Sequence, residues 1–303
     1  MTAGAPHTEE IAENVFAHIQ PDGGWCLSNA GILLAPDRVA LIDTAATESR
    51  SLALRDTVHT LSPEPVRLVV NTHFHGDHSF GNALVGPDAV IVAHERTRTE
   101  MADAGLGLTG LWPDVNWGKI DVTLPQLTYR RRLTLHHGDL QVELFHPGPA
   151  HTTNDTLVWL PGQRVLFAGD ILLPGRTPFV LMGSVAGSLR TLEVLRRLGP
   201  RTVVGGHGPL AGPEVIEETE RYLRWLQSVA AEASAAGLTP LEAAREAGPG
   251  PFEQWREPER LVANLHRAYA ELEPGPLGAP LNVIGVFEDM VAFNGGHVPL
   301  CHA

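Results

Sequence analysis

The sequence predicts an α/β fold in which two β-sheets pack face to face with helices outside. Three observations predict it. Short β-branched apolar runs recur in two strand-rich halves of the chain. Segments with helical spacing flank each half. A cluster of His and Asp side chains, Asn71 to His78, leaves the carboxyl end of one such run, where α/β proteins place their chemistry. With 303 residues and 43% apolar content, the chain can bury the core of one large or two modest domains.

In chain order, Val15 to Ile19 reads as a first strand. A glycine-flanked stretch, Gly23 to Gly31, leads into Ile32-Leu33-Leu34. Pro36-Asp37 turns the chain and Val39 to Ile42 returns as a hairpin partner closed by Asp43-Thr44. Ser49 to Leu61 has helical spacing, with Leu52, Leu54, Val58 and Leu61 apolar and Pro63 as the stop. Val66 to Val70 is a buried strand, Ala89 to Val92 another, and a helix follows from about His94 to Ala104. Residues 105–119 break the periodicity, and Trp112 and Trp117 there suit either a clamped loop or a flap over a pocket.

The second half repeats this logic. Leu133 to Leu135, Val142 to Phe145, Thr156 to Leu160 and Arg164 to Ala168 read as strands, Ser188 to Leu198 as a helix and Thr202 to Val204 as a strand. Pro213 to Ala230 is an amphipathic helix with Ile216, Leu223, Leu226 and Ala230 on one stripe. Pro258 starts another, aligning Leu261, Leu265, Ala268 and Leu272. Residues 273–276 form a linker, and 281–293 is apolar enough to dock back. The expected organisation is a catalytic domain over 1–212 and a helical extension and tail over 213–303, packed on the same body.

A net charge of −13 argues against nucleic acid as a partner. The N-terminal stretch lacks the apolar core of a signal peptide, and no run approaches the ~20 apolar residues of a membrane span. A soluble, cytoplasmic protein is expected, and nothing marks an oligomeric state. Cys26 and Cys301, the only cysteines, cannot make a disulfide framework.

His73, His75, Asp77 and His78 put four metal-capable side chains within six residues. His73 and His75 are two apart, so an extended backbone points both imidazoles one way. Gly76, through a positive φ, lets the chain turn before Asp77. Later residues complete the set. His151 lies past the strand ending at Phe145, Asp170 follows the strand ending at Ala168, and His207 follows Val203-Val204, each beside a glycine. Strand ends of one sheet edge can converge. The seven residues suffice for two metals, with His73, His75 and His151 on the first, Asp77, His78 and His207 on the second, and Asp170 between them. Imidazole with carboxylate suits two Zn²⁺, although iron and manganese accept similar donors. Such a pair acidifies a shared water towards ~7 and polarises a carbonyl. Asp77 and Asp170 are thus candidate catalytic groups as well as ligands. His146 reads as structural or supporting, and His94, His136, His137 and His266 as structural or exposed. His297, Cys301 and His302 resemble a ligand set but sit on a terminal tail, where loose structure is usual.

These residues resemble the metallo-β-lactamase superfamily. His73-Phe74-His75-Gly76-Asp77-His78 is similar to its signature loop, and His151, Asp170 and His207 follow in its ligand order. The resemblance, over about Val15 to Pro209, implies a four-layer αββα sandwich with a dinuclear site on one edge. A narrower resemblance involves Trp25 to Gly31, Leu108 to Pro113, Gly183 to Gly187 and Asn294-Gly295-Gly296. These segments look like the second-ring cyclases of aromatic (type II) polyketide pathways, of the actinorhodin type. That family implies aldol closure and dehydration of a second ring, and thioester cleavage from an acyl carrier protein. Trp25, Trp112 and Trp117 are then candidates to wall a flat product, against the commoner role of Trp as core. Arg130-Arg131-Arg132 and Arg196-Arg197 are candidate basic patches for an acidic carrier. A general metallo-hydrolase of a thioester, lactone or lactam is the alternative, and a metal-free binding protein on the same fold is a third reading.

Overall fold

The computed structural model describes residues 4–303. Seven strands form the first sheet: β1 (His7–Ala12), β2 (Val15–Ile19), β3 (Ala30–Ala35), β4 (Arg38–Ile42), β5 (Val66–Val70), β6 (Val90–His94) and β7 (Leu127–Tyr129), paired in that order. β1 to β4 run antiparallel and β4 to β7 parallel. The second sheet pairs β8 (Arg132–His137), β9 (Leu140–Phe145), β10 (Leu157–Leu160), β11 (Val165–Gly169) and β12 (Thr202–Gly205). Only its β11–β12 pair is parallel.

The alternation of side chains along each strand makes the layers. Leu33, Ile42 and Val70 turn inward to meet Leu144, Val158 and Phe167 between the sheets. Their neighbours Ile32, Leu41 and Val69 turn outward, onto Leu54 and Val58 of helix α1 (Glu48–Leu61). Trp159, Leu166 and Val203 likewise face out. There they meet helices α5 (Val185–Leu198), α6 (Glu214–Ala235) and α8 (Arg260–Ala270). The order is therefore helix, sheet, sheet, helix. Central strands such as β4, β10 and β11 are buried on both faces, so they read as continuous apolar runs.

Some elements differ from the sequence reading. β1 escaped it because HTEEIA is polar and exposed at a sheet edge. After β5 the chain makes two short helices, α2 (Gly76–Ser79) and α3 (Asn82–Val85), too brief for periodicity to reveal. Gly76 opens α2 and its φ is not positive. Glycine is needed there for space, since a Cβ would lie 2.1 Å from the Phe80 ring. Helix α4 (Glu95–Ala104) is as expected. α6 continues past Ala230 to Ala235 and buries Ala233. Helix α7 (Pro240–Ala247), short and alanine-rich, was unread despite the capping box between Thr239 and Glu242. Helix α9 (Val283–Phe293) places Val286, Phe287 and Met290 in the apolar cluster that α6 and α8 share with the second sheet. No described helix is long and apolar enough to cross a membrane.

Asn264 of α8 couples these helices to the loop after β11. It is fully buried. Its Oδ1 accepts from Val180 N (2.9 Å), and its Nδ2 donates to Pro178 O (2.7 Å) and the Tyr222 hydroxyl (2.8 Å). Asn264→Ala would leave these groups buried and unpaired, which costs about 3 kcal/mol. Denaturant unfolding should show that loss; a change below about 1 kcal/mol would contradict the coupling.

Candidate metal centre

The seven predicted residues converge at one edge of the sandwich. His73 follows β5, Asp77 and His78 lie on α2, and His151 lies in the loop after β9. Asp170 and His207 follow β11 and β12. Two groups of donor atoms result: His73, His75, His151 and Asp170, and beside them Asp77, His78 and His207. Asp170 faces both. Its Oδ2 is 3.6 Å from His151 Nε2 and 3.5 Å from His207 Nε2, and its Oδ1 is 3.2 Å from His78 Nε2. Asp77 Oδ2 is 3.2 Å from His207 Nε2 and 3.7 Å from His78 Nε2. Gly206 makes room for this, as a Cβ there would fall 1.9 Å from Asp170 Oδ1.

Hydrogen bonds on the far side of each ring fix which nitrogen faces inward. His151 Nδ1 donates to Phe179 O (2.5 Å) and His207 Nδ1 to Gly24 O (3.1 Å). Thr72 Oγ1 donates to Asp43 Oδ2 (2.6 Å), so it must accept from His73 Nδ1 at 3.0 Å. His78 Nδ1 donates to Asp43 Oδ2 at 2.8 Å. The inward Nε2 atoms of His73 and His151 are therefore bare lone pairs. Both lie 3.0 Å from His75 Nδ1, whose single hydrogen can serve only one of them. His75 Nε2 points to Met182 Sδ at 3.4 Å.

The donor set fits a divalent cation. Ligands at ~2.0–2.1 Å around a tetrahedral metal stand about 3.3 Å apart, close to these separations. His78 Nε2 and Asp170 Oδ1 are buried without a hydrogen-bond partner. A divalent cation held by each group would satisfy both orphans and all the bare nitrogens.

The electrostatics agree. Burial pushes His73 and His151 below the ordinary imidazole value and His75 down to about 3, so these rings are neutral, the ligand form. Burial would also lower His78 and His207, but carboxylates outweigh it. Asp170, Asp77 and Asp43 hold His78 up, and Asp170 and Asp77 hold His207 at about 9. Against their own burial, His78 and His207 keep Asp77 and Asp170 well below the usual carboxylate range.

Asp43 was read only as a strand terminus. It holds a positive φ of 61° and is buried. Its Oδ1 accepts from Thr72 N at 2.7 Å, so one carboxylate orients both His78 and, through Thr72, His73. Its place at the end of β4, parallel neighbour of β5, was the available signal. His146 stays outside the donor groups: it stacks on His94 at 4.1 Å and bonds Asp155 O. His266 pairs with Asp289, and His137 with Leu33 O. The tail residues His297, Cys301 and His302 join no donor cluster among the described residues.

A cavity of about 670 Å³, counted to its open mouth, lies directly above the donors. His75, Asp77, His151, Asp170 and His207 are on its floor, and Trp25, Trp112 and Trp117 are all in its wall. The loop over 105–119 overhangs it through Leu108, Leu111 and Trp112. Trp25 is pinned by its Nε1–H donating to Glu259 (2.8 Å) and by the Arg260 guanidinium, 4.3 Å from its ring centre. Phe179, Arg260 and Phe287 also line the space and were not anticipated.

A family profile described as "Metallo-beta-lactamase superfamily" matches residues 23–207. The chain belongs to the metallo-beta-lactamase superfamily. That membership gives it the general class of metal-dependent hydrolase. It is similar to a metallo-beta-lactamase type 2 of Bacteroides fragilis, 24% identical over 71% of this chain and 84% of the relative. It is also similar to a linear primary-alkylsulfatase of Pseudomonas sp. (strain ATCC 19151), 25% identical over 63% of this chain but 43% of the relative. Among solved structures, the metallo-beta-lactamase from Pontibacter korlensis superposes with a TM-score of 0.60 at 21% identity, covering 73% of this chain and 99% of that one. That likeness shows the superfamily fold.

Asp43→Asn keeps the shape of the side chain but removes the charge that orients His78 and Thr72. It should weaken zinc binding about 10- to 100-fold, read by competition with a chelator. Unchanged affinity would contradict this role.

Proposed function

We propose that the seven side chains hold two divalent cations, zinc by the nature of the donors. In this reading the protein is a second-ring cyclase that acts on an acyl-carrier-bound aromatic polyketide and also releases it from the carrier. One observation carries the proposal: an aromatic-walled cavity opens straight onto the donor cluster. Bound cations would supply polarisation of a carbonyl and an acidified water.

The chain's own residues do the rest. Trp25, held rigid by Glu259 and Arg260, and Trp112 offer flat apolar faces at which a polycyclic intermediate can lie. Asp77 and Asp170 stay ionised on the cavity floor and can orient a water or take up a proton's charge there. Ring closure removes a proton beside one carbonyl, joins that carbon to a second carbonyl and expels water. Thioester cleavage adds water to the carbonyl and releases the carrier thiol. Both reactions pass through an oxyanion, which cations held by the seven side chains would stabilise.

For carrier docking, Arg196 is a poor candidate, because it pairs with Glu217 and Glu220. Arg131 and Arg132 are exposed beside Arg130, which pairs with Glu95. They remain the basic patch for an acidic partner.

A second reading, a general hydrolase of a thioester, lactone or lactam, draws on the relatives: their names describe a lactamase and a sulfatase. The test is incubation with a carrier-bound, first-ring-cyclised polyketide and, separately, with a simple thioester. A new ring from the first substrate supports the cyclase. Fast turnover of the simple thioester with no ring product supports the second reading instead. His73→Ala and Asp170→Ala should each abolish activity and lower the metal content. Full activity in a variant that has lost its metal would refute both readings.

A further inference from the structure

The two cysteines come from opposite ends of the chain and meet at the rim of the metal cavity. Cys26 lines the cavity, is buried and has a positive φ of 62°. Cys301 belongs to the tail beyond α9 and pairs with Trp25 as an isolated parallel bridge, which puts it beside Cys26. Both are free thiols. Each thiol acts on the other: the neighbouring Cys26 draws the Cys301 thiol down, while Cys301 and burial hold the Cys26 thiol up.

The rest of the tail is lightly held. Pro299 O accepts from Trp112 Nε1 (2.9 Å), and His302 O from an Arg50 guanidinium nitrogen (2.5 Å). Leu300 is 69% exposed. The tail thus touches Trp25 and Trp112, two walls of the cavity, without a covalent tie.

We propose that Cys26 and Cys301 form a reversible disulfide that fastens the tail across the rim of the metal cavity. The oxidant is a peroxide. The half-buried Cys301 sulfur attacks the O–O bond and becomes a sulfenic acid, and the alcohol or water half of the peroxide leaves. The Cys26 sulfur then displaces the hydroxyl, which leaves as water with the Cys26 proton. Two thiols lose two electrons, one peroxide gains them, and one S–S bond forms. A second thiol compound reverses the step by exchange. The proposal does not depend on which substrate the cavity takes.

The test uses the full-length, metal-loaded protein, reduced and then treated with one equivalent of hydrogen peroxide. Alkylatable thiols should fall from two to none, and the chain should lose about 2 Da, both restored by dithiothreitol. Digestion should yield a peptide pair joined through Cys26 and Cys301. Carboxypeptidase should trim the reduced tail past Cys301 and leave the oxidised tail attached. Cys26→Ser and Cys301→Ser should each lose the cross-link and the protection. Cys301 ending as a sulfinic acid with Cys26 still alkylatable would overturn the proposal, as would a disulfide between chains or no reaction.

Discussion

Three imidazole nitrogens point at one place, and between them they carry too few hydrogens. His73 Nε2 and His151 Nε2 each stand 3.0 Å from His75 Nδ1, and far-side hydrogen bonds take the proton of both outer rings. Lone pairs so placed repel unless a cation separates them. Beside them His78 Nε2 and Asp170 Oδ1 are buried without partners, 3.2 Å apart. An unpaired buried polar atom costs roughly 1–3 kcal/mol. Here two such atoms stand side by side, and a divalent ion would remove the cost of both.

What holds the donors together is mostly remote from them. β4, β5, β11 and β12 end at the same edge, and each ending delivers one part: Asp43, His73, Asp170 and His207. Layering fixes those endings, because Ile42, Val70, Phe167 and Val204 all face the core between the sheets. The helices after residue 213 act at a distance. Asn264 and Arg267 of α8 bond the backbone at Pro178, Val180 and Leu181, and the same segment supplies the carbonyl of Phe179 that sets the His151 tautomer. α8 also positions Arg260 against Trp25, so one helix serves both the donors and the cavity wall.

Much of this was legible in the sequence, for physical reasons. Strands buried on both faces leave apolar runs, and ligands at strand ends sit next to those runs, so the seven donors could be named from spacing alone. Asp43 was harder. A carboxylate that ends a strand looks like any turn residue, and only the register of β4 beside β5 brings it to His78 and Thr72. Gly76 was understood for the wrong reason, since its missing side chain makes room for Phe80 while its backbone stays helical. β1 was hidden by its polar edge sequence. The cavity wall was half visible: three tryptophans stood out by type, whereas Phe179 and Phe287 arrive from segments whose approach only tertiary packing determines.

Metal content of the purified protein, by mass spectrometry of the wild type beside Asp170→Ala, tests the central claim most directly. The account predicts two zinc ions per chain in the wild type and at most one in the variant, whose loss strips the carboxylate shared by both donor groups. A wild-type protein that binds no divalent metal under saturating zinc, or a variant that retains both ions, would contradict it.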